Sequence, residues 1–173
     1  MMKMSTGPRY KVPFRRRREG RTDYRHRAGL LRSGIVRLVV RKSNRHVRVQ
    51  LIEYSTDKGD RVLASAVSKE LEELGWKASG KSTPGAYLTG FLAGKRAKEK
   101  EIEEAVLDIG LRNPTKGATV FAALKGALDA GMKIPHSEDM VPSKDRISGK
   151  HMHEGTVAMF ESTKSKIGGA KNE

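Results

Sequence analysis

Residues 75–82 read GWKASGKS and match the phosphate-binding pattern G-x-x-x-x-G-K-[ST]. In proteins that use this pattern, backbone N–H groups and the lysine hold nucleotide phosphates, and the last hydroxyl binds Mg²⁺. Such a loop follows a strand and opens a helix, whereas here the preceding residues predict a helix and Pro84 removes an N–H donor just after the loop. We keep a small P-loop NTPase, with Asp108 on its Mg²⁺-binding strand, as the alternative to the function derived below.

Outside this loop, the residue types offer few groups for catalysis or metal binding. His151 and His153 are two positions apart, so they do not share one face of a helix. The chain has no cysteine, which excludes disulfides and thiolate ligands and fits a reducing cytosol. No apolar run approaches the roughly 20 residues that span a bilayer. We therefore predict a cytoplasmic protein with no enzyme activity, cofactor, metal, small-molecule substrate or membrane partner.

The positive charge of the chain lies almost entirely in its first 50 residues. The 173-residue sequence has a net charge of +15. Residues 1–50 contain 16 Lys and Arg but only two acids, Glu19 and Asp23, whereas the remaining residues hold 19 basic and 18 acidic side chains. Because such a segment repels itself, it normally has a polyanion to neutralise it. A solvated tail or a targeting signal would be the alternatives.

The basic residues of this segment are mostly arginines, and aromatic residues lie among them. Guanidinium groups can bind phosphates bidentately, and flat rings beside them can stack on unpaired bases. No helix-turn-helix, zinc-finger or basic-zipper pattern is present, which favours RNA over duplex DNA. The candidate RNA-binding residues are Arg9, Tyr10, Lys11, Phe14, Arg15, Arg16, Arg17, Arg18, Arg21, Tyr24, Arg25, His26 and Arg27 in the N-terminal segment, and Arg41, Lys42, Ser43, Asn44, Arg45, His46 and Arg48 at a predicted hairpin.

Three segments of the chain differ in composition and are predicted to be separate parts of the molecule. Residues 1–33 lack an apolar period and are interrupted by prolines and glycines, so we expect an extended basic arm that orders on its partner, with a helical turn or two near residues 22–31. Residues 34–137 alternate strand and helix patterns and form the globular domain. Residues 138–173 predict a loop and, more weakly, a terminal helix.

Within the globular domain, apolar periodicity predicts an α/β fold with a mixed β-sheet packed with helices. Strands are predicted at residues 35–41, 46–54, 61–67, 105–111 and 132–135. Helices are predicted at residues 68–74 with Ser68 as N-cap, at 83–104 with Thr83 as N-cap, and at 118–131. Short turns make the first three strands an antiparallel meander, and the later β-α-β-α-β order requires parallel pairing.

Four stretches of the sequence resemble the L-eighteen family of large-subunit ribosomal proteins, archaeal type, whose eukaryotic counterpart is called L-five. They are TGPRYKVPFRRRREGRTDYRHR (6–27), RLVVRKSNRHVRVQLIEY (37–54), TPGAYLTGFLAGKRAKEKEIEEAVLDIGL (83–111) and GATVFAALKGALDAGMKIPHS (117–137). The resemblance implies a mixed α/β domain that binds 5S rRNA, helps to anchor it to 23S rRNA and contacts neighbouring ribosomal proteins. It also implies no catalysis and no nucleotide.

In that family the stretch around residues 80–83 is a variable linker, so we expect the match at residues 75–82 to be a coincidence. The family's rRNA contacts concentrate at positions that correspond to residues 9–27 and 41–46. Charge and stacking select the same residues without the resemblance. A basic protein that binds any RNA without preference remains a third hypothesis.

Overall fold

The computed structural model describes residues 7–169, which form a four-stranded sheet with its main helices on one face. The first six residues of the predicted arm and the last four of the predicted tail lie outside the described residues. The strands are β1 (Arg37–Lys42), β2 (Val47–Ser55), β3 (Gly59–Val67) and β4 (Val106–Asp108), in the spatial order β3-β2-β1-β4.

The pairing of the strands confirms the predicted mixed sheet. β1 and β3 each pair with β2 in antiparallel fashion, and β1 pairs with β4 in parallel. Val40 lies opposite Val49, and both are fully buried beneath the helices. The neighbouring pair Arg41 and Arg48 points to the other face, because successive side chains of a strand alternate between faces. That second face therefore carries positive charge at its β1–β2 end.

The helices are α1 (Arg15–Arg18), α2 (Tyr24–Arg32), α3 (Thr83–Lys98), α4 (Thr119–Asp129), α5 (Lys144–Ser148) and α6 (Thr156–Gly169), with a 3-10 turn at Glu138–Met140. α3 is the central helix, because 12 of its 16 residues are buried. It packs on β2 and β3 of the sheet and against the helices α4 and α6. The core is thus one continuous cluster that includes residues of the C-terminal tail.

Helices α3 and α4 cross at backbone contact, and this contact requires glycine. A Cβ atom added to Gly90 would lie 1.9 Å from the carbonyl oxygen of Ala123, and one added to Gly126 would lie 2.1 Å from that of Tyr87. Both glycines have ordinary helical backbone angles, so the requirement is one of space alone. The start of α4 lies near the end of β1, where Lys42 donates to the hydroxyl of Thr119 at 3.0 Å.

The N-terminal segment is partly helical. Asp23 opens α2 by accepting hydrogen bonds from the backbone N–H groups of His26 and Arg25, both at 3.0 Å, and these bonds lower the pKa of its carboxyl group. α2 confirms the helical turns predicted near residues 22–31. The single turn of α1 was not predicted, so the expectation of extended chain before residue 22 is wrong at Arg15–Arg18.

The helix predicted at residues 68–74 is wrong. The segment forms successive turns, with hydrogen bonds such as that from the N–H of Leu74 to the carbonyl of Leu71. Ser68, the predicted N-cap, is already engaged, because its hydroxyl accepts a hydrogen bond from the backbone N–H of Val47 at 3.1 Å. Without this cap, and with Leu71 and Trp76 both fully buried, the chain follows the core instead of a helix axis.

Three further predictions need correction. α3 begins at Thr83 and its N-cap is Ser82, one residue before the predicted cap. The strand predicted at residues 132–135 is a single parallel bridge between Lys133 and Glu104, because Pro135 has no N–H to extend the pairing. The terminal helix is two helices, separated at Gly149, whose φ of 86° lies in the left-handed region.

Candidate nucleic-acid interface

A cleft of about 380 Å³ lies between the N-terminal helices and the end of the sheet where β1 and β4 finish. We call it the basic cleft. Because β1 and β4 are parallel, their C-terminal ends lie side by side, and the residues that follow them share this opening. The basic side chains that line it are Arg16, Arg21, His26, Arg27, Arg41, Lys42 and Arg112, and the acidic ones are Asp23 and Asp108.

A chain of alternating charges runs beneath the basic cleft and joins α2 to the sheet. Arg27 contacts Asp60 at 2.7 Å, and Asp60 contacts Arg37 at 2.8 Å. Arg37 also contacts Asp108 at 3.2 Å, and Asp108 contacts Arg41 at 2.8 Å. The guanidinium of Arg37 is only 3% exposed, so its two carboxylate partners are needed to keep that charge in the interior. The network thereby fixes the positions of Arg27 on α2 and Arg41 on β1, which both line the basic cleft.

Asp108 holds the arginine at the rim of the basic cleft. Its carboxylate accepts hydrogen bonds from Nη2 of Arg41 at 2.8 Å and from the N–H of Gly110 at 2.9 Å. Burial raises the pKa of Asp108, but these bonds and the charges of Arg41 and Arg37 outweigh it and leave the pKa below its ordinary value. The carboxylate is thus ionised and orients Arg41 and the loop after β4.

Positive charges gather around Lys42 at the end of β1. Its ammonium group donates to the hydroxyl of Thr119 at 3.0 Å, at the start of α4. Burial lowers the pKa of Lys42, and the charges of Arg112 and Lys81 lower it further. Like charges that crowd around Lys42 favour binding of an anion, because the anion relieves their repulsion.

The hairpin between β1 and β2 extends the same positive surface. The register places Arg41 directly opposite Arg48, and like charges in this position repel unless another group neutralises them. Arg45 is exposed at the turn. Ser43 closes the turn, since its hydroxyl donates to the carbonyl of His46 at 2.9 Å, and His46 in turn approaches the hydroxyl of Ser68. Ser43 and His46 thus shape the turn that presents Arg45.

The three aromatic residues of the N-terminal segment are exposed rather than packed in the core. Tyr10 is 45% exposed, Phe14 is 87% exposed and Tyr24 is 41% exposed. Exposed rings among arginines are suited to stacking on bases. The other N-terminal candidates, which lie on the surface outside the basic cleft, are Arg9, Lys11, Arg15, Arg17, Arg18 and Arg25.

The loop at residues 75–82 has a different geometry from a phosphate-binding loop. The segment before it forms turns and not a strand. The hydroxyl of Ser82 accepts a hydrogen bond from the N–H of Gly85 and so caps α3, the position where the pattern requires a Mg²⁺ ligand. A Cβ on Gly80 would lie 2.6 Å from Oγ of Ser68, so this glycine serves close packing. Nothing in the loop geometry supports the NTPase alternative.

Several residues of the cleft were missed in the sequence. Arg112 lies in the loop after β4, and its guanidinium donates to the carbonyl of Lys42 at 2.8 Å. Arg37, Asp60 and Asp108 form the buried network, and only Asp108 had been singled out, as a Mg²⁺ ligand. The predicted parallel pairing would have been enough to find Arg112, because parallel strands end at the same edge of a sheet.

Comparison with known proteins identifies the chain. The family described as "Ribosomal large subunit proteins 60S L5, and 50S L18" matches residues 8–104 and 97–137. The chain belongs to this family. Three archaeal relatives bear the name "Large ribosomal subunit protein uL18". That of Haloarcula marismortui is 58% identical over 151 residues, which cover 87% of this chain and 80% of the relative. That of Aeropyrum pernix is 54% identical over 159 residues, which cover 91% of this chain and 74% of the relative, and that of Methanothermobacter thermautotrophicus is 52% identical over 158 residues, which cover 91% of this chain and 82% of the relative.

The resemblance seen in the sequence is therefore confirmed. Membership of the L5/L18 family makes the chain a structural ribosomal protein of the large subunit, a component of a cytoplasmic ribonucleoprotein that acts in translation, in a family not known for enzyme activity. Across residues 7–169, no three His, Cys, Asp or Glu side chains come together as metal ligands. Over the same residues, no helix has the length and apolar character to cross a membrane.

Proposed function

We propose that this protein binds 5S rRNA through the basic cleft and the adjoining N-terminal and hairpin residues, and helps to anchor that RNA to 23S rRNA. The observation that carries the proposal is the convergence of two groups of cations, far apart in sequence, on one opening. Arg16 and Arg21 come from the N-terminal segment, and Arg41 and Lys42 come from the end of β1. Neighbouring large-subunit proteins would then contact the remaining surface of the globular domain.

The distribution of charge supports an RNA partner over a protein partner. Burial, and then the charges of Arg112 and Lys81, lower the pKa of Lys42, and exposed Arg45 and Arg48 lie on the adjoining hairpin, so the surface gains most from a ligand with closely spaced negative charges. A phosphate backbone has such charges, and exposed Phe14 and Tyr24 add surfaces for unpaired bases. The part of the surface that grips 23S rRNA would be the arm residues beyond the cleft.

A competition assay tests this function. Labelled 5S rRNA is bound to the protein, and either unlabelled 5S rRNA or an unrelated structured RNA of similar length is added as competitor. At moderate salt we expect unlabelled 5S rRNA to compete at least about tenfold more effectively than the unrelated RNA, because base stacking and shape recognition add to the non-specific electrostatic attraction. Equal competition would favour the hypothesis of a basic protein without RNA preference.

A truncation that begins at Thr22 tests the role of the arm. It removes seven cations between Arg9 and Arg21 but keeps the Asp23 cap of α2, so the globular domain should fold. We expect 5S rRNA binding to weaken on the order of 100-fold and its dependence on salt to become shallower. Lys98→Gln is the control, because Lys98 lies by Gly131, about 18 Å along α4 from Thr119 and the cleft. Unchanged binding by the truncated protein would refute the role of the arm.

A further inference from the structure

The guanidinium of Arg41 is fixed by hydrogen bonds within the protein. Its Nη1 donates to the carbonyl oxygens of Val40 at 3.0 Å and Asp108 at 2.7 Å, and its Nη2 donates to Oδ1 of Asp108 at 2.8 Å. Three of its five N–H donors are therefore committed to the protein. The side chain is nevertheless 46% exposed, so much of the guanidinium surface still faces outward.

One face of this guanidinium is covered by the backbone of Gly110. A Cβ atom on Gly110 would lie 3.0 Å from Cζ of Arg41 and 3.2 Å from both Nε and Nη2. Such nearly equal distances place that atom above the plane of the group and not at its edge. Gly110 has a φ of 69°, a conformation that favours glycine. The guanidinium is thus a fixed plane with Gly110 on one side, in a side chain that remains 46% exposed.

The basic cleft offers an apolar surface beside this plane. Leu30 of α2, Ile109 and Leu111 line it together with the arginines, and Leu111 is 58% exposed. A planar base can cover such an apolar side chain, whereas a phosphate group cannot. The volume of about 380 Å³ is within the range of pockets that hold one small ligand. Arg16, Arg21 and Arg112 lie around the rim, where phosphates on either side of a base could be bound.

We infer that the basic cleft holds a single unpaired nucleotide of the bound RNA, with its base stacked on Arg41 and covering Leu111 and its phosphates on the surrounding arginines. The inference rests on the proposed function and specifies how that surface recognises RNA. Arginine planes are known to stack on splayed bases, and a plane fixed before binding loses little freedom when the base arrives. Asp108 and Gly110 are then positioning residues, since they act through Arg41.

Titration with mononucleotides tests the inference without 5S rRNA. Methyl and amide NMR signals of the full chain are followed as a nucleoside 5′-monophosphate or inorganic phosphate is added. We expect the nucleotide to shift the signals of Leu30, Ile109 and Leu111, and phosphate to shift only signals near the arginines. Leu111→Ser should remove the nucleotide-specific shifts and leave the other signals in place, because Leu111 is exposed. Identical shifts with nucleotide and phosphate would overturn the inference.

Binding of 5S rRNA provides a second test. Arg41→Lys keeps the charge but loses the plane, so we expect roughly tenfold weaker binding with an unchanged dependence on salt. Leu111→Ser should weaken binding in the same way while leaving Arg41 and its hydrogen bonds intact. Arg61→Lys, at an exposed position of β3, is the matched control and should have no effect.

The outcomes of this second test separate the two proposals. If the wild-type protein fails to bind 5S rRNA, the proposed function itself is wrong. If it binds, but both Arg41→Lys and Leu111→Ser bind as well as Arg61→Lys, the nucleotide pocket is wrong and the proposed function stands.

Discussion

The close crossing of α3 and α4 predicts that Gly126→Ala strongly destabilises the protein. A Cβ at this position would lie 2.1 Å from the carbonyl oxygen of Tyr87 and 2.7 Å from the N–H nitrogen of Phe91, whereas real Cβ contacts are essentially never below 3.0 Å. The two helices must therefore separate by about 0.9 Å or more. No flexible side chain can move aside, because both obstructing atoms belong to the backbone of the central helix.

The expected cost follows from the packing that this separation disturbs. Overpacking of a well-packed core costs roughly 1–3 kcal/mol, and we expect the upper end here because α3 is buried along most of its length. For a chain of this size, about 3 kcal/mol corresponds to a fall in melting temperature of roughly 6–12 °C. Thermal unfolding followed by circular dichroism measures this shift.

Gly29→Ala provides a matched control for the same substitution. Gly29 lies within α2, and a Cβ there would have no neighbour within 4 Å. Alanine in a helix is favoured over glycine by about 1 kcal/mol, so this variant should melt at or slightly above the wild-type temperature. A melting temperature for Gly126→Ala within 2 °C of the Gly29→Ala value would refute the described crossing of α3 and α4.

Three further predictions concern single hydrogen-bonding residues. Asp108→Asn removes one of the two carboxylates that neutralise buried Arg37 and should lower the free energy of unfolding by about 3 kcal/mol in a urea titration. Asp139→Asn, in an exposed ion pair with Lys116, should change it by less than about 0.5 kcal/mol. Because folding lowers the pKa of Asp108, the ionised carboxylate stabilises the fold fully above the ordinary pKa of 3.8, and this stabilisation is lost as the pH falls below that value. Asp108→Asn should therefore lose less stability than the wild-type protein when the pH is lowered. An equal loss in both proteins would contradict the role of the network. Ser82→Ala removes the N-cap of α3 and should lower the free energy of unfolding by about 1 kcal/mol, while Lys81→Ala should leave it unchanged. Neither the wild-type protein nor Lys81→Ala should bind a fluorescent ATP analogue with Mg²⁺, and saturable wild-type binding that is lost in Lys81→Ala would revive the NTPase alternative. Tyr87→Phe loses the hydrogen bond to Asp129 at 2.7 Å and should cost about 1 kcal/mol in the same urea titration; an unchanged midpoint would contradict this bond.

Features of the fold that depend on local periodicity could be predicted from the sequence. The alternation of Val47, Val49 and Leu51 with polar residues identified β2 and its buried face, and all three are at most 1% exposed. Features that depend on distant partners could not. Ser68 has the sequence context of an N-cap, but its hydroxyl is bound to Val47 on a strand 21 residues earlier. Only the folded sheet brings these two residues together.

The candidate site could also be predicted only in part, because it depends on residues that are distant in the sequence. The density of arginines and aromatic residues between Arg9 and Arg27 predicted one RNA-binding segment, and the basic turn after Arg41 predicted a second. The sequence did not show that these two groups meet, because the meeting depends on the buried network through Arg37 and on the parallel pairing of β1 with β4. Arg112 has no distinguishing local pattern, and only the parallel pairing of its strand with β1 indicates that it lies beside Arg41.

The most direct test of the central claim is protein–RNA cross-linking in assembled large subunits, with cross-linked peptides identified by mass spectrometry. If the basic cleft and its surroundings face RNA, cross-links should concentrate in residues 9–27, 41–48 and 109–112. The exposed acidic stretch at residues 99–104 should give none. Cross-links confined to other surfaces, with the N-terminal segment and the cleft unmodified, would contradict the account.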